Sequence, residues 1–220
     1  MSETDSINVF YGRDAKRDAC QVVVKQYSGD AINELLREIK VHSELKSKTL
    51  TQMKKLENFV PKPGLPQLID YKIKECQGEI IITNEGLDLD KWGERIAGRS
   101  ERRKFVYCML PPVIMSLKAI HDLGYCHGDL KPENICARQT KEGRFSFTLT
   151  GLGNCAKLAK LGDSSDDRVH RGNLIFSSLP YLVRKRATQL DDLSSLLNVA
   201  YFFIEGSLPW LDLIKSQPKQ

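Results

Sequence analysis

The chain has 220 residues, of which 41% are hydrophobic and 28% charged, and a formal net charge of +5. That is the composition of a soluble globular protein, long enough for one sizeable domain or two small lobes sharing a cleft, and too weakly basic to argue for nucleic acid. No apolar run approaches the ~18 residues a membrane helix needs, and the polar start Met1-Ser-Glu-Thr-Asp5 lacks the basic-then-apolar order of a signal peptide, so an intracellular protein, cytoplasmic or nuclear, is expected. Cys20, Cys76, Cys108, Cys126, Cys136 and Cys155 are scattered without a C-x-x-C pair and read as buried thiols in a reducing compartment.

In chain order, Ile7–Tyr11 and Ala19–Tyr27 are β-branched and aromatic runs around the charged turn Gly12–Asp18, the pattern of a hairpin. Ile32, Leu35, Leu36, Ile39 and Leu45 recur at helical spacing, predicting a helix over 31–45 with Asp30 as its N-cap. Lys46–Gly64 is polar and basic and reads as a linker. Leu65–Ile73 and Glu79–Thr83 are two more strands around the turn Glu75–Gly78, four strands in all.

From Leu87 the pattern turns helical. The segment Arg95–Lys104 carries Arg95, Arg99, Arg102, Arg103 and Lys104; it reads first as a solvated loop, with a docking surface for acidic partners as the alternative. Val113–His121 has the spacing of a buried helix, and Pro111-Pro112 predicts a break or shortening near Leu110. Lys157–Arg171 is a polar loop that includes Asp163-Ser-Ser-Asp-Asp167. Asp191–Glu205 is an apolar helix closed by Gly206, with Pro209 beyond. Whether Ser164 and Ser165 are phosphorylated is a question their acidic setting raises.

The most constrained stretch is Tyr125-Cys-His-Gly-Asp-Leu-Lys-Pro-Glu-Asn-Ile-Cys-Ala137, followed by Phe145-Ser-Phe-Thr-Leu-Thr-Gly-Leu-Gly-Asn-Cys-Ala-Lys157. His127, Asp129, Leu130 and Asn134 fall in register with the H-R-D-L-x-x-x-N signature of protein kinases, with Gly128 in place of Arg. Val22-Val-Val-Lys25 matches the kinase V-A-I-K strand. The chain resembles the kinase group that contains casein kinase one and the vaccinia-related kinases on three counts: His127-Gly128-Asp129, the run Gly172-Asn-Leu-Ile-Phe-Ser-Ser178 in place of A-P-E, and Leu190-Asp-Asp-Leu-Ser-Ser-Leu with Gly206-Ser-Leu-Pro-Trp210. The resemblance covers roughly residues 7 to 215.

It implies an α+β, bilobal kinase-like fold. The small, mainly antiparallel β lobe with one helix would occupy 7–83, a hinge 84–86, and a larger helical lobe 87–220. By the resemblance Asp129 is the base for a substrate hydroxyl, Lys131 neutralises the moving phosphoryl group and Asn134 holds magnesium. Lys25 reaches the nucleotide phosphates and pairs with Glu38 of the following helix, or with Glu34 one turn earlier, Glu38 being preferred. Thr83, just before the hinge, and Glu85 within it are implied nucleotide-binding residues, Ile82 borders the base pocket, and Asp192 anchors the catalytic loop. The pattern departs at the D-F-G tripeptide, whose metal-binding Asp is replaced by Gly151; glycine offers no oxygen to a hard cation. The glycine-rich loop and the last helices of the large lobe are also missing from the pattern, as expected either of a form truncated at both ends or of a relative that has lost these parts.

These features point to a pseudokinase that acts as a regulatory or scaffold protein through another protein, a kinase or signalling partner, with ATP possible and magnesium weak. An active ATP-dependent serine/threonine kinase with a degraded metal site and a nucleotide-sensing module are the alternatives. No membrane or nucleic-acid partner is expected.

Overall fold

The computed structural model describes residues 6–17, 20–53, 64–158, 172–184 and 187–211. The acidic stretch Asp163–Asp167, with Ser164 and Ser165, and residues 54–63 of the expected linker lie outside them. The β-branched run Val22-Val-Val24 lies in β2 (Cys20–Ser28), which pairs on one side with β1 (Ser6–Asp14) and on the other with β4 (Gln77–Thr83). β3 (Leu68–Lys74) is the far edge, giving an antiparallel sheet of order β1-β2-β4-β3. The strands expected are the strands found, although β1 runs on to Asp14, so the first turn is shorter than its charge pattern suggests.

α1 (Ile32–Met53) lays Leu35 and Ile39 on Tyr27, Ile80 and Ile82 of this sheet. It continues beyond residue 45 into the stretch read as linker. Asp30 is not its N-cap: a 3-10 turn, Gly29–Ala31, starts directly off β2, with Gly29 at φ 61° making the bend, and Asp30 sits inside that turn. There its carboxylate still complements the helix N-terminus.

The second lobe begins with β5 (Leu87–Asp88), α2 (Leu89–Arg95) and α3 (Arg99–His121). β6 (Tyr125–Cys126), β7 (Ile135–Gln139), β8 (Phe145–Leu149), β9 (Ala156–Lys157), α4 (Leu179–Arg184) and α5 (Gln189–Glu205) follow. Its core joins Met109, Val113, Leu117 and Ile120 of α3 to Leu196, Val199 and Phe203 of α5, beneath Ile135 and Leu149 of the β7–β8 hairpin. α5 is closed at both ends, by a capping box between Thr188 and Asp191 and by Gly206 at φ 79°.

The break expected near Leu110 is absent. α3 passes through Pro111 and Pro112 without interruption, and Arg99–Lys104, part of the basic segment read as a loop, forms its first turns. The carbonyls that lose their donors belong to Tyr107 and Cys108, which are both exposed, so water can satisfy them on the solvent side of the helix. The buried-thiol reading also needs correcting. Cys126 and Cys155 are buried, but Cys20, Cys76 and Cys108 are exposed, because they fall at a strand start, in the β3–β4 turn and on the outer face of α3. Among the described residues, no helix is long and apolar enough to cross a membrane.

Candidate functional site

The cleft between the lobes is built from β2 and α1 above and the loop after β6 below. Lys25 sits on the central strand opposite Ile80, and its Nζ donates to Glu38 Oε1 at 2.7 Å. Tyr27 hydroxyl donates to Glu38 Oε2, also at 2.7 Å, and Glu38 is fully buried. Burial alone would raise the Glu38 pKa, but the charges of Lys25 and His42 and the hydrogen bonds from Lys25 and Tyr27 outweigh it and hold the pKa below the usual carboxylate value. Tyr27 is pushed up by burial and by the same carboxylate.

Glu34 does not take this place. Its side chain lies against Gly153, where even a Cβ would not fit, and its pKa is raised by burial and by Glu38. Arg37 Nε donates to Gly153 O at 2.9 Å, so α1 is tied to the 3-10 turn Leu152–Asn154.

His42 packs beneath the pair, its Nε2 4.0 Å from Glu38 Oε1 and without a hydrogen-bond partner. Burial depresses its pKa below 6.5 despite the nearby carboxylate. With the folded value lower than the unfolded one, stability is complete above pH 6.5 and falls as the pH drops, because the unfolded chain takes a proton that the folded one refuses. A His42→Leu variant is expected to lose that part of the acid slope, read as the thermal midpoint between neutral pH and pH 5.

Below the cleft, Asp192 of α5 holds the loop by its backbone. Asp192 Oδ2 accepts from His127 N at 2.8 Å and faces His121 Nε2 at 2.8 Å, while Oδ1 accepts from Gly128 N at 2.9 Å. Gly128 stands at φ 74°, a left-handed conformation that accounts for glycine at the Arg position. His127 accepts from Asp129 N at Nδ1 (3.3 Å), so its Nε2 carries the proton and donates to Thr150 O at 2.8 Å.

Asp129, 5% exposed, is held by four donors, one on Oδ1 and three around Oδ2. Oδ1 accepts from Asn173 N at 2.7 Å. Oδ2 faces Asn134 Nδ2 (3.2 Å), Asn154 Nδ2 (3.2 Å) and Lys131 Nζ (3.3 Å). Gly172, at φ 105°, lies against the loop so closely that a Cβ there would come 2.3 Å from Gly128 O and 3.0 Å from Asp129 Cβ.

Gly151, two residues beyond β8, caps the 3-10 turn Leu152–Asn154 at φ 78° and ψ 40°. A Cβ at this position would sit 2.5 Å from Asn134 Oδ1 and 2.7 Å from its Nδ2. The Asn134 amide is fixed by its bonds to Asp129 O (2.8 Å) and Oδ2. Among the described residues, no three carboxylate, His or Cys ligand atoms converge in the cleft; the trio that does converge, His121, Cys126 and Asp192, has its Asp oxygens committed to the loop backbone. The residues present do not fit a magnesium ion held in the kinase manner. Restoring the missing side chain should not repair this: Gly151→Asp is expected to lower stability by ~1–3 kcal/mol through its left-handed backbone and the collision with Asn134, seen as a fall in urea midpoint.

At the hinge, Thr83 N donates to Gln67 O at 3.0 Å, and its Oγ1 accepts from Gln67 N at 2.9 Å and donates to Glu85 Oε1. Glu85 Oε2 also accepts from Thr148 Oγ1 at 3.3 Å. These two candidate residues therefore brace each other and the β8 strand, with Ile82 buried beside them. Tyr27, Asn154 and Asn173 were not singled out from sequence, although Asn173 follows a glycine in the Gly172–Ser178 run that carries the resemblance.

The fold is that of a protein-kinase-like bilobal domain. The chain is 30% identical over 128 residues to Casein kinase 1-like protein HD16 of Oryza sativa, covering 55% of this chain and 18% of that protein. It is 27% identical over 190 residues to serine/threonine-protein kinase VRK1 of Caenorhabditis briggsae, covering 84% and 34%. A calcium and calcium/calmodulin-dependent serine/threonine-protein kinase of Oryza sativa matches at 26% over 171 residues, covering 76% and 31%. No family model matches. These similarities support a relationship to the protein kinase superfamily, and the aligned region spans about a third or less of each of these relatives.

Proposed function

We propose that this chain is a kinase-fold protein of the casein kinase one and vaccinia-related type in which phosphoryl transfer is lost, a pseudokinase that works as a regulatory or scaffold protein by binding another protein. The observation that carries this reading is Gly151. It stands where the metal-binding carboxylate would be, and its left-handed backbone is packed on the Asn134 amide, so the ligand is absent and a side chain there would have to displace that amide. The four donors around Asp129 agree with it, since they stabilise the charged carboxylate and so weaken it as a base, although Oδ1 keeps one lone pair.

Phosphoryl transfer is positioning and charge neutralisation. Losing ~3–4 kcal/mol of transition-state stabilisation at one site costs ~100–1000-fold in rate. The test is transfer of labelled phosphate to casein and to histone beside an Asp129→Asn control. Transfer indistinguishable from the control is expected; robust transfer abolished by the substitution would favour an active serine/threonine kinase instead.

A second reading, ATP binding without transfer, is favoured by the Lys25–Glu38 pair, which kinases use to place the nucleotide phosphates. If it holds, ATP raises the thermal midpoint equally with and without magnesium, and Lys25→Met removes the rise.

A further inference from the structure

The basic segment Arg95–Lys104 has a use that the cleft does not draw on. Two of its cations are spent within the fold. Arg99 pairs with Glu205, and Arg102 donates to Ile96 O at 2.7 Å, Gly93 O at 2.8 Å and Phe203 O at 3.3 Å, pinning the α2–α3 connection to α5.

Arg95 and Lys104 are different. Both are exposed, and among the described residues neither has an ion-pair partner. Arg95 lies over the Trp92 ring, 5.5 Å from its centroid, which fixes the side chain while leaving its guanidinium edges open to a further ligand.

These two cations stand on the rim of one apolar cavity of about 540 Å³. Glu101, Lys104, Phe105 and Cys108 line it at i, i+3, i+4 and i+7 of α3, one face of the helix. Its other walls are the α2–α3 connection, from Arg95 to Gly98, and the ring of Phe145 on β8. The floor is the outer edge of an aromatic cluster, with Phe105 and Phe145 at 4.8 Å between centroids and Trp92 and Phe145 at 5.1 Å. The one acid on the rim, Glu101, is folded back on Gly98, the N-cap of α3, where the helix dipole holds it. The cavity therefore presents an apolar floor under uncompensated positive charge.

We propose that this groove docks an acidic segment of a partner protein, inserting a leucine or phenylalanine side chain over Phe105 and Phe145 and placing carboxylates on Arg95 and Lys104. The apolar side chain supplies burial and the rim charges supply selection by sign. This inference is independent of the state of the phosphoryl-transfer cleft.

The test uses the full chain with Cys20→Ser and Cys76→Ser, and a fluorescein-labelled peptide in which glutamates alternate with leucine and phenylalanine. Saturable anisotropy is expected, weakened roughly tenfold or more by the double variant Arg95→Glu, Lys104→Glu. Ala97→Trp, which fills the groove from an exposed position without altering charge, should abolish it. Bound peptide should also slow maleimide labelling of Cys108, and unchanged thermal midpoints would show that the variants fold.

Replacing the apolar residues of the peptide by serine, or its glutamates by lysine, should remove binding. Absence of binding by the acidic apolar peptide, equal binding to all variants, or equal binding by the serine peptide would overturn the proposal. So would a dimer in sedimentation that Ala97→Trp disperses, which would give the groove to a second copy of the chain.

Discussion

Lys25→Met is expected to destabilise the protein by about 3 kcal/mol, because it leaves the fully buried Glu38 without its charged partner. For a chain of this length that is a fall of roughly 6–12 °C in thermal midpoint. Tyr27 and His42 remain, but Tyr27 offers only a hydrogen bond and His42, its pKa depressed by burial, adds positive charge only when protonated in acid, so neither replaces the ammonium at neutral pH. Adding Glu38→Gln to Lys25→Met should recover part of the loss, since it removes the stranded charge; additive losses would mean that Lys25 acts through packing alone.

The pH dependence has a definite sign. Glu38 has its folded pKa lowered, so its contribution is present above the unfolded carboxylate value, about 4.3, and is lost as the pH falls through the folded value. In Lys25→Met that lowering is removed, so the difference from the parent protein should be widest near neutral pH and shrink in acid. A constant difference from pH 7 to pH 3 would show that the ion pair does not carry it.

Asp192→Asn should cost as much or more. The side chain is 2% exposed, and its two oxygens serve His127 N, Gly128 N and His121. An amide supplies one acceptor and turns two donors towards groups that themselves donate. Two charge-assisted bonds at ~1.5–3 kcal/mol each give a loss of roughly 3–6 kcal/mol, comparable to the whole stability of many domains. Hydrogen exchange at His127 and Gly128 should rise before global unfolding. His121→Gln, which touches only one of these contacts, should cost about 1–2 kcal/mol. Equal effects of the two substitutions would contradict the anchoring role.

Much of this fold was legible because its signals are local. The β-branched run at Val22–Val24, the helical spacing of Leu35 and Ile39, and Gly206 after an apolar run each specify an element without reference to the rest of the chain. The errors fell where tertiary context overrides local preference. Pro111 and Pro112 are tolerated because their orphaned carbonyls face water while Met109, Val113 and Leu117 hold the other side of the helix in the core. Asp30 failed as a cap because Gly29 bends the chain sooner than the apolar spacing shows.

The resemblance groups Lys25, Glu38, Asp129 and Asn134 as candidates, and Gly151 is visibly not an acid. What spacing does not carry is the conformation at Gly151, or the donors that Asn154 and Asn173 bring to Asp129 from 25 and 44 residues away. Asn154 makes its contact from the 3-10 turn Leu152–Asn154 and Asn173 from the run Gly172–Ser178, tertiary placements that no periodicity encodes.

The most direct measurement is ADP formation by the purified chain with ATP, with and without magnesium, counted per molecule of protein and set beside Asp129→Asn. ADP at or below one equivalent, the same in both proteins and indifferent to magnesium, is expected from a cleft with glycine at the metal position. Magnesium-dependent ADP in many-fold excess over the protein, abolished by Asp129→Asn, would contradict it.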